Sequence, residues 1–154
     1  MKRILALLTL FLLVLASCGG AHGETYTCTF SISCAELVGC DTLDLDKREL
    51  IPEKGNIYAP AEVSFTEGES VFDILMRVCR ENKIHFEYSE VPMYATAYIE
   101  GIANLYEFDA GALSGWVYTV NGESPNYGAS KYYPEDGDVI EWNFTVEGRG
   151  ANGG

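Results

Sequence analysis

The sequence predicts an α+β fold, a sheet of about six strands with one main helix laid across one face. Several short segments alternate apolar and polar residues at the two-residue period of a half-buried strand. One stretch alone carries the 3.6-residue stripe of an amphipathic helix, and the chain contains no internal repeat.

The first strand is the clearest. Tyr26, Cys28, Phe30, Ile32 and Cys34 alternate with Thr27, Thr29, Ser31 and Ser33, which directs both cysteines inward. Residues 35–58 mix acidic and apolar residues without a period. Ala59 to Thr66 supplies a second strand, closed by the turn-forming "EGES". Ser70 then opens the helix: Asp73 stands three residues on, where a capping box places its acid, and Val71, Ile74, Leu75, Val78 and Cys79 fall on one stripe. The helix is expected to end near Asn82. Ile84, Phe86 and Tyr88 form a third strand, Tyr94 to Ile102 a fourth, and Trp116 to Val120 a fifth. The fifth ends at Asn121-Gly122, the dipeptide best suited to the two positive-φ positions of a type I′ turn. Pro125 limits how far the returning limb can pair. Ile140, Trp142, Phe144 and Val146 alternate as the final strand, and residues 147–154 form a flexible tail.

The N-terminus is a targeting segment. Lys2 and Arg3 precede an apolar run, Ile4 to Val14, too short to anchor in a bilayer, and Leu15-Ala16-Ser17 leads into Cys18. Leu-Ala-Ser-Cys resembles the lipoprotein box of bacteria, so residues 1–17 are expected to be a signal peptide, Cys18 the lipidated residue, and residues 18–25 the anchor and linker. The protein is then extracytoplasmic and held to the membrane by its lipid.

Charge removes one class of partner. The formal net charge is −13, and removal of residues 1–17 takes two of the ten basic residues and none of the 23 acidic ones. Such an excess repels phosphate backbones and excludes nucleic acid. With Cys18 lipidated, Cys28, Cys34, Cys40 and Cys79 remain, an even number that suits disulfides in an exported chain, with three possible connectivities. A helix following the second strand has its late turns over the far end of the first, which favours Cys34 with Cys79 and leaves Cys28 with Cys40. Zinc is not expected, since there is no Cys-x-x-Cys pair and only His22 and His85 offer imidazoles. Asp41, Asp44, Asp46 and Glu49 lack the spacing and glycine of a calcium loop and read as a solvated acidic segment.

Four stretches, "CTFSISC", "FTEGESVFDIL", "YIEGIANLYEFDAGALSGWVYTVNG" and "PNYGASKYYPEDGDVIEW", together resemble a bacterial domain family of unknown function related to the C-terminal domain of transcobalamin. The resemblance covers residues 26–146 and implies a β-grasp-like mixed sheet. Many members carry cysteine where Ala110 and Ala129 stand here, and Cys40 is an addition. The resemblance also implies a domain able to close over a corrinoid, which in the animal proteins lies between this domain and a larger helical one. Here a lone domain offers half of such a cleft, and no cofactor is expected to be resident.

The site expectation rests on the late aromatic segment. Trp116, Tyr118 and Trp142 alternate as core residues do. Asn126, Tyr127, Gly128, Ser130, Tyr132 and Tyr133 read as an irregular loop of the composition that recognition loops use. The expected ligand-binding set is Trp116, Tyr118, Asn121, Asn126, Tyr127 and Tyr132. No nucleophile, phosphate loop or metal-hydrolase motif supplies a catalytic set, since His85 lies outward between Ile84 and Phe86. The sequence therefore points to non-enzymatic recognition of a small molecule or glycan, a corrinoid among them. The alternative is a protein-protein or adhesion module at the cell surface.

Overall fold

A computed structural model of the chain describes residues 24–91 and 96–148. The signal segment, Cys18, His22, Tyr94 and the tail beyond Gly148 therefore lie outside the described residues.

Two sheets form in place of the single sheet expected. The larger has the order β2-β1-β7-β6 and the smaller the order β3-β4-β5. Their strands are β1 (Thr25–Ser33), β2 (Asn56–Thr66), β3 (Phe86–Val91), β4 (Thr96–Ile102), β5 (Leu105–Tyr106), β6 (Gly115–Val120) and β7 (Val139–Thr145). The larger sheet is mixed: β1 pairs antiparallel with β2 and parallel with β7, and β7 pairs antiparallel with β6. The central strands β1 and β7 therefore have both backbone edges bonded.

Register places the alternating apolar residues on one face. Cys28 stands opposite Val63, Phe30 opposite Ile140, Ile32 opposite Trp142, and Trp142 in turn opposite Tyr118. These residues are buried and share one core with the apolar stripe of the main helix. At about 25 cal/mol per Å² of apolar area removed from water, this face is the principal source of stability.

The main helix, α2 (Val71–Glu81), begins as expected. The Ser70 side chain accepts from the Asp73 amide, and Asp73 accepts from the Ser70 amide, which closes the capping box. Val71, Phe72, Ile74, Leu75, Val78 and Cys79 are its buried residues. The aperiodic region resolves into a 3₁₀ turn (Ala35–Leu37) and a short helix, α1 (Leu45–Arg48). Asp44 is the N-cap of α1, and Arg48 reaches the carbonyls of Leu43 and Asp41. Among the described residues no group of three or more His, Cys, Asp or Glu is placed to hold a metal.

The smaller sheet arises from two antiparallel connections. β4 pairs with β3 and then turns through Ala103 and Asn104, at φ 55° and 63°, to pair Ile102 with Leu105 in β5. Both turn residues have positive φ, as a type I′ turn requires.

Candidate functional site

β6 positions most of the late aromatic segment. Trp116, Tyr118 and Val120 are buried, in strict alternation with Gly115, Val117 and Thr119. Trp116 donates through Nε1 to the Leu105 carbonyl at 2.8 Å and meets Phe144 edge to face. Tyr118 stacks at a tilt on Trp142, with ring centroids 5.3 Å apart, and its hydroxyl donates to the Tyr127 carbonyl at 2.5 Å. Burial pushes the Tyr118 phenol far above its ordinary value.

The other expected binding residues separate into structural and exposed ones. Asn121 and Gly122 have φ 53° and 81° and form the tight turn the dipeptide predicts. The Asn121 side chain donates to Asp138 and accepts from the Val139 amide, so both ends of its amide are used to hold the start of β7. Tyr132 is half-buried against Tyr118, and its carbonyl accepts the Val71 amide at the start of α2. Ser130 ties the same loop to β4 through Thr96 and the Ala97 amide. Asn126 is exposed, and Tyr127 and Tyr133 are 64% and 60% exposed. The structure thus brings Trp116 and Tyr118 into the interior, leaves Tyr132 half-buried and keeps Asn121, Asn126 and Tyr127 at the surface.

A concave site lies at the other end of β6. A crevice of about 200 Å³ is walled by Tyr98, Phe108, Leu113, Trp116, Val117 and Gly148. Phe108 and Leu113 are 61% and 70% exposed, a large apolar area for a loop to hold in water. Their positions are fixed by the loop's own bonds. The Phe108 amide donates to the Ser114 carbonyl, the Gly111 amide to the Phe108 carbonyl and the Ser114 amide to the Gly111 carbonyl. The Ser114 hydroxyl accepts from the Ala110 amide, and Asp109 accepts the Tyr106 amide. Phe108 itself is held at φ 69°, a left-handed conformation costly for a bulky residue. On the far wall Gly148, at φ 59°, lies so close to Leu113 that a Cβ there would meet the Leu113 Cβ at 2.7 Å.

Of the polar side chains of the smaller sheet, Tyr98 lines the crevice. The Tyr98 hydroxyl donates to Glu107. Burial, that hydrogen bond and the nearby charges of Glu107 and Glu100 push the Tyr98 phenol up to about 12, so it stays a donor at neutral pH. Elsewhere on the smaller sheet the Tyr106 hydroxyl donates to Glu87 at 2.9 Å, and His85 Nε2 lies 3.2 Å from the same carboxylate. Lys47 pairs with Asp109 at 3.1 Å and lies over the Tyr106 ring.

The four cysteines among the described residues are free thiols, without the expected bridges Cys34–Cys79 and Cys28–Cys40. The second pairing fails on topology. The Cys28 thiol faces the Val63 carbonyl in mid-sheet, whereas Cys40 follows the 3₁₀ turn past the end of β1 and contacts the Thr42 hydroxyl. Six residue steps along the extended chain separate Cys28 from Cys34, a span of roughly 20 Å. Burial raises the Cys28 and Cys34 thiols to about 11 and Cys79 to about 12. The Thr42 hydroxyl lowers Cys40.

The sequence did not single out the crevice. Its signal is two large apolar residues, Phe108 and Leu113, inside the turn-rich "EFDAGALSG", where strand burial cannot absorb them.

An α+β domain agrees with what comparison finds. The chain belongs to the family described as "Domain of unknown function (DUF4430)", whose model matches residues 68–146. Its fold is similar to that of haptocorrin, a transcobalamin-like protein, solved in complex with Cbi, with TM-score 0.61 and 18% identity. The match covers 87% of this chain and 28% of haptocorrin, so the chain corresponds to well under a third of that protein. A protein from Ruminococcus gnavus described as metal binding gives TM-score 0.42 at 19% identity, over 79% of this chain and 96% of that one. Among curated proteins none is significantly similar.

Proposed function

We propose that this chain is a non-enzymatic binding module, tethered outside the bacterial cytoplasmic membrane through a lipid on Cys18, that takes a small amphipathic ligand in the crevice beside β6. The observation that carries this reading is the hydrogen-bonded loop that holds Phe108 and Leu113 in solvent at the mouth of the crevice. Burying two such side chains adds nothing to folding while they stay exposed, and each contributes roughly 1.5–3 kcal/mol once a ligand covers it. A volume near 200 Å³ suits one ring or a short apolar chain and not a whole corrinoid.

A larger ligand can still use this crevice as one of its contacts. Haptocorrin was solved with Cbi, and a corrinoid spanning this domain and a second protein is the form in which that likeness carries over. The strand order β2-β1-β7-β6, with a parallel central pair and a helix following β2, supports the β-grasp-like reading of the fold.

The test is a titration of the chain with small aromatic and aliphatic amphipaths, glycans and a corrinoid, followed by Trp116 fluorescence and amide NMR. Saturable shifts confined to residues 98, 108–117 and 148, and lost in Leu113→Asp, are expected. Shifts that spread over the surface without saturation refute the crevice as a site. The exposure of Tyr127 and Tyr133 favours a second reading, adhesion through the loop that carries them, and shifts confined to residues 126–133 on adding cell-surface protein would select it.

A further inference from the structure

A second concave site lies at the opposite end of the larger sheet, where β1 and β7 begin and β2 ends. A hollow of about 270 Å³ is walled there by Tyr26, Phe65 and Pro134 and by the acids Glu67, Glu135 and Asp136. Tyr26 and Phe65 are cross-strand partners whose ring centroids lie 5.6 Å apart. The backbone fixes the acidic wall. Asp136 accepts the Thr27 amide at 2.8 Å and the Gly137 amide donates to the Thr27 carbonyl at 2.7 Å, so this turn is tied to the start of β1. Across the hollow, Glu69 closes the turn that carries Glu67 by accepting the Thr66 amide, and it also pairs with Arg77 at 3.1 Å.

Charge in this hollow is one-sided. Among the described residues no lysine, arginine or histidine lines it, and none pairs with Glu67, Glu135 or Asp136. The hydrogen bond to Glu24, desolvation and the charges of Glu24, Glu67 and Asp136 hold the Tyr26 phenol above its ordinary value, so these carboxylates act together on one ring. A metal ion does not fit, since among the described residues no three ligating side chains converge closely enough to hold one. The matching cation is one whose charge is spread over an apolar body, which carboxylates attract from a distance and an aromatic face attracts in contact. A cavity of about 150 Å³ holds a benzene ring, so about 270 Å³ admits a trimethylammonium group with a short chain.

We propose that this hollow binds a small organic ammonium ion, its alkyl groups against Tyr26, Phe65 and Pro134 and its charge among Glu67, Glu135 and Asp136. The site is separate from the crevice beside β6, and its test does not depend on that reading.

Two probes of one shape isolate the charge: choline, and neohexyl alcohol, in which carbon replaces the nitrogen. The full chain is titrated with each and followed by amide NMR at low salt and pH 8, where a histidine of ordinary pKa, such as His22 ahead of Glu24, is neutral and does not compete. Choline is expected to give saturable shifts confined to residues 26, 65–67 and 134–136, and to bind about fivefold more tightly than the alcohol. Glu67 and Glu135 are exposed, so the double variant Glu67→Gln, Glu135→Gln keeps the fold and shape. It is expected to cut the preference to about twofold and to leave the alcohol's affinity unchanged. Raising the salt should weaken choline alone. Tyr26→Leu keeps an apolar wall without the π face and should weaken choline more than the alcohol. Equal binding of the two probes, a preference undiminished in the double variant, or choline shifts that never saturate would each overturn the proposal.

Discussion

The aromatic rings on β6 and β7 and the aromatic rings in the loops flanking β6 are drawn from the same residue types, yet they meet opposite environments. Trp116, Tyr118, Trp142 and Phe144 are buried to within a few percent, while Phe108, Tyr127 and Tyr133 are largely exposed. The difference follows from backbone. A paired strand fixes a period of two, so every second side chain must enter the core. A loop closed by its own hydrogen bonds has no such period and can hold an apolar ring in water. Exposure of these rings on β6 and β7 would indicate misfolding, whereas in the loops it points to use.

The comparison breaks most severely at Trp142. It is fully buried, and its Nε1 has no hydrogen-bond partner among the described residues. Trp142→Ala is expected to cost about 3–5 kcal/mol through the cavity it leaves, read as a lower urea midpoint. Trp142→Phe removes the unpaired N–H along with volume, so its cost is expected to be markedly smaller, about 1–2 kcal/mol. A Trp142→Phe loss well above that range would mean that the N–H is satisfied in solution.

The same interior responds to alkali. Cys28, Cys34 and Cys79 move from an ordinary 9.0 to about 11, about 11 and about 12 in the folded chain. Above pH 9.0 the unfolded thiols release protons that the folded ones retain, so the unfolded state binds fewer protons and stability falls as pH rises. The contribution is complete below pH 9.0 and declines from there toward about 12. Tyr98, also held up to about 12, acts in the same direction. Urea midpoints in reducing buffer should therefore drop steadily above pH 9.0, and a flat profile there would show these thiols to be solvated or already oxidised.

Gly148→Ala probes the border between the two environments. The added Cβ meets Leu113 at 2.7 Å and the φ of 59° disfavours any side chain. A cost of about 1–2 kcal/mol is expected, with amide shifts concentrated on Leu113 and Ser114. Undisturbed Leu113 signals would show that this wall of the crevice is loose.

Legibility follows the same division. The helix was readable because a capping box and an apolar stripe are local patterns, and Ser70 and Asp73 bond as the spacing requires. β1, β6 and β7 were readable from alternation, and Asn121-Gly122 from turn chemistry. β5 was not, since Leu105-Tyr106 is too short to show a period, and without it the second sheet could not be inferred. β2 runs from Asn56, three residues earlier than expected, because a register shift around Pro60 interrupts its alternation. Of the expected binding residues, those on β6 were legible as core, and their burial is what structure adds. The crevice left only the signal of two apolar residues, Phe108 and Leu113, in a turn-rich stretch. It depends on the meeting of β4, the loop after β5 and β6 with Thr145 and Gly148, which lie about thirty residues further along the chain.

Thiol reactivity separates surface from interior without altering a residue. Cys40 is half-exposed and its thiol is lowered by the Thr42 hydroxyl, whereas burial raises the other three. Reaction with a maleimide near neutral pH is expected to modify Cys40 first, with Cys28, Cys34 and Cys79 reacting only on unfolding. Peptide mapping by mass spectrometry reads the order. A Cys40 that reacts only after reductant is added would instead place it in a disulfide.

The smallest effects are expected at the loop tyrosines, and their smallness is the informative result. Tyr127 contributes its carbonyl to the Tyr118 hydroxyl, and that bond does not involve its ring. Tyr127→Ala and Tyr133→Ala should therefore change the urea midpoint by an amount equivalent to at most about 0.5 kcal/mol. Neither ring walls the crevice, so binding of amphipaths there should also be unchanged. A ring that costs nothing to remove from the fold is free to serve contact, and loss of surface-protein binding in either variant would assign it that role. If instead Tyr127→Ala destabilises by more than about 1 kcal/mol, the ring packs onto the domain in solution and the contrast between strand and loop fails at that position.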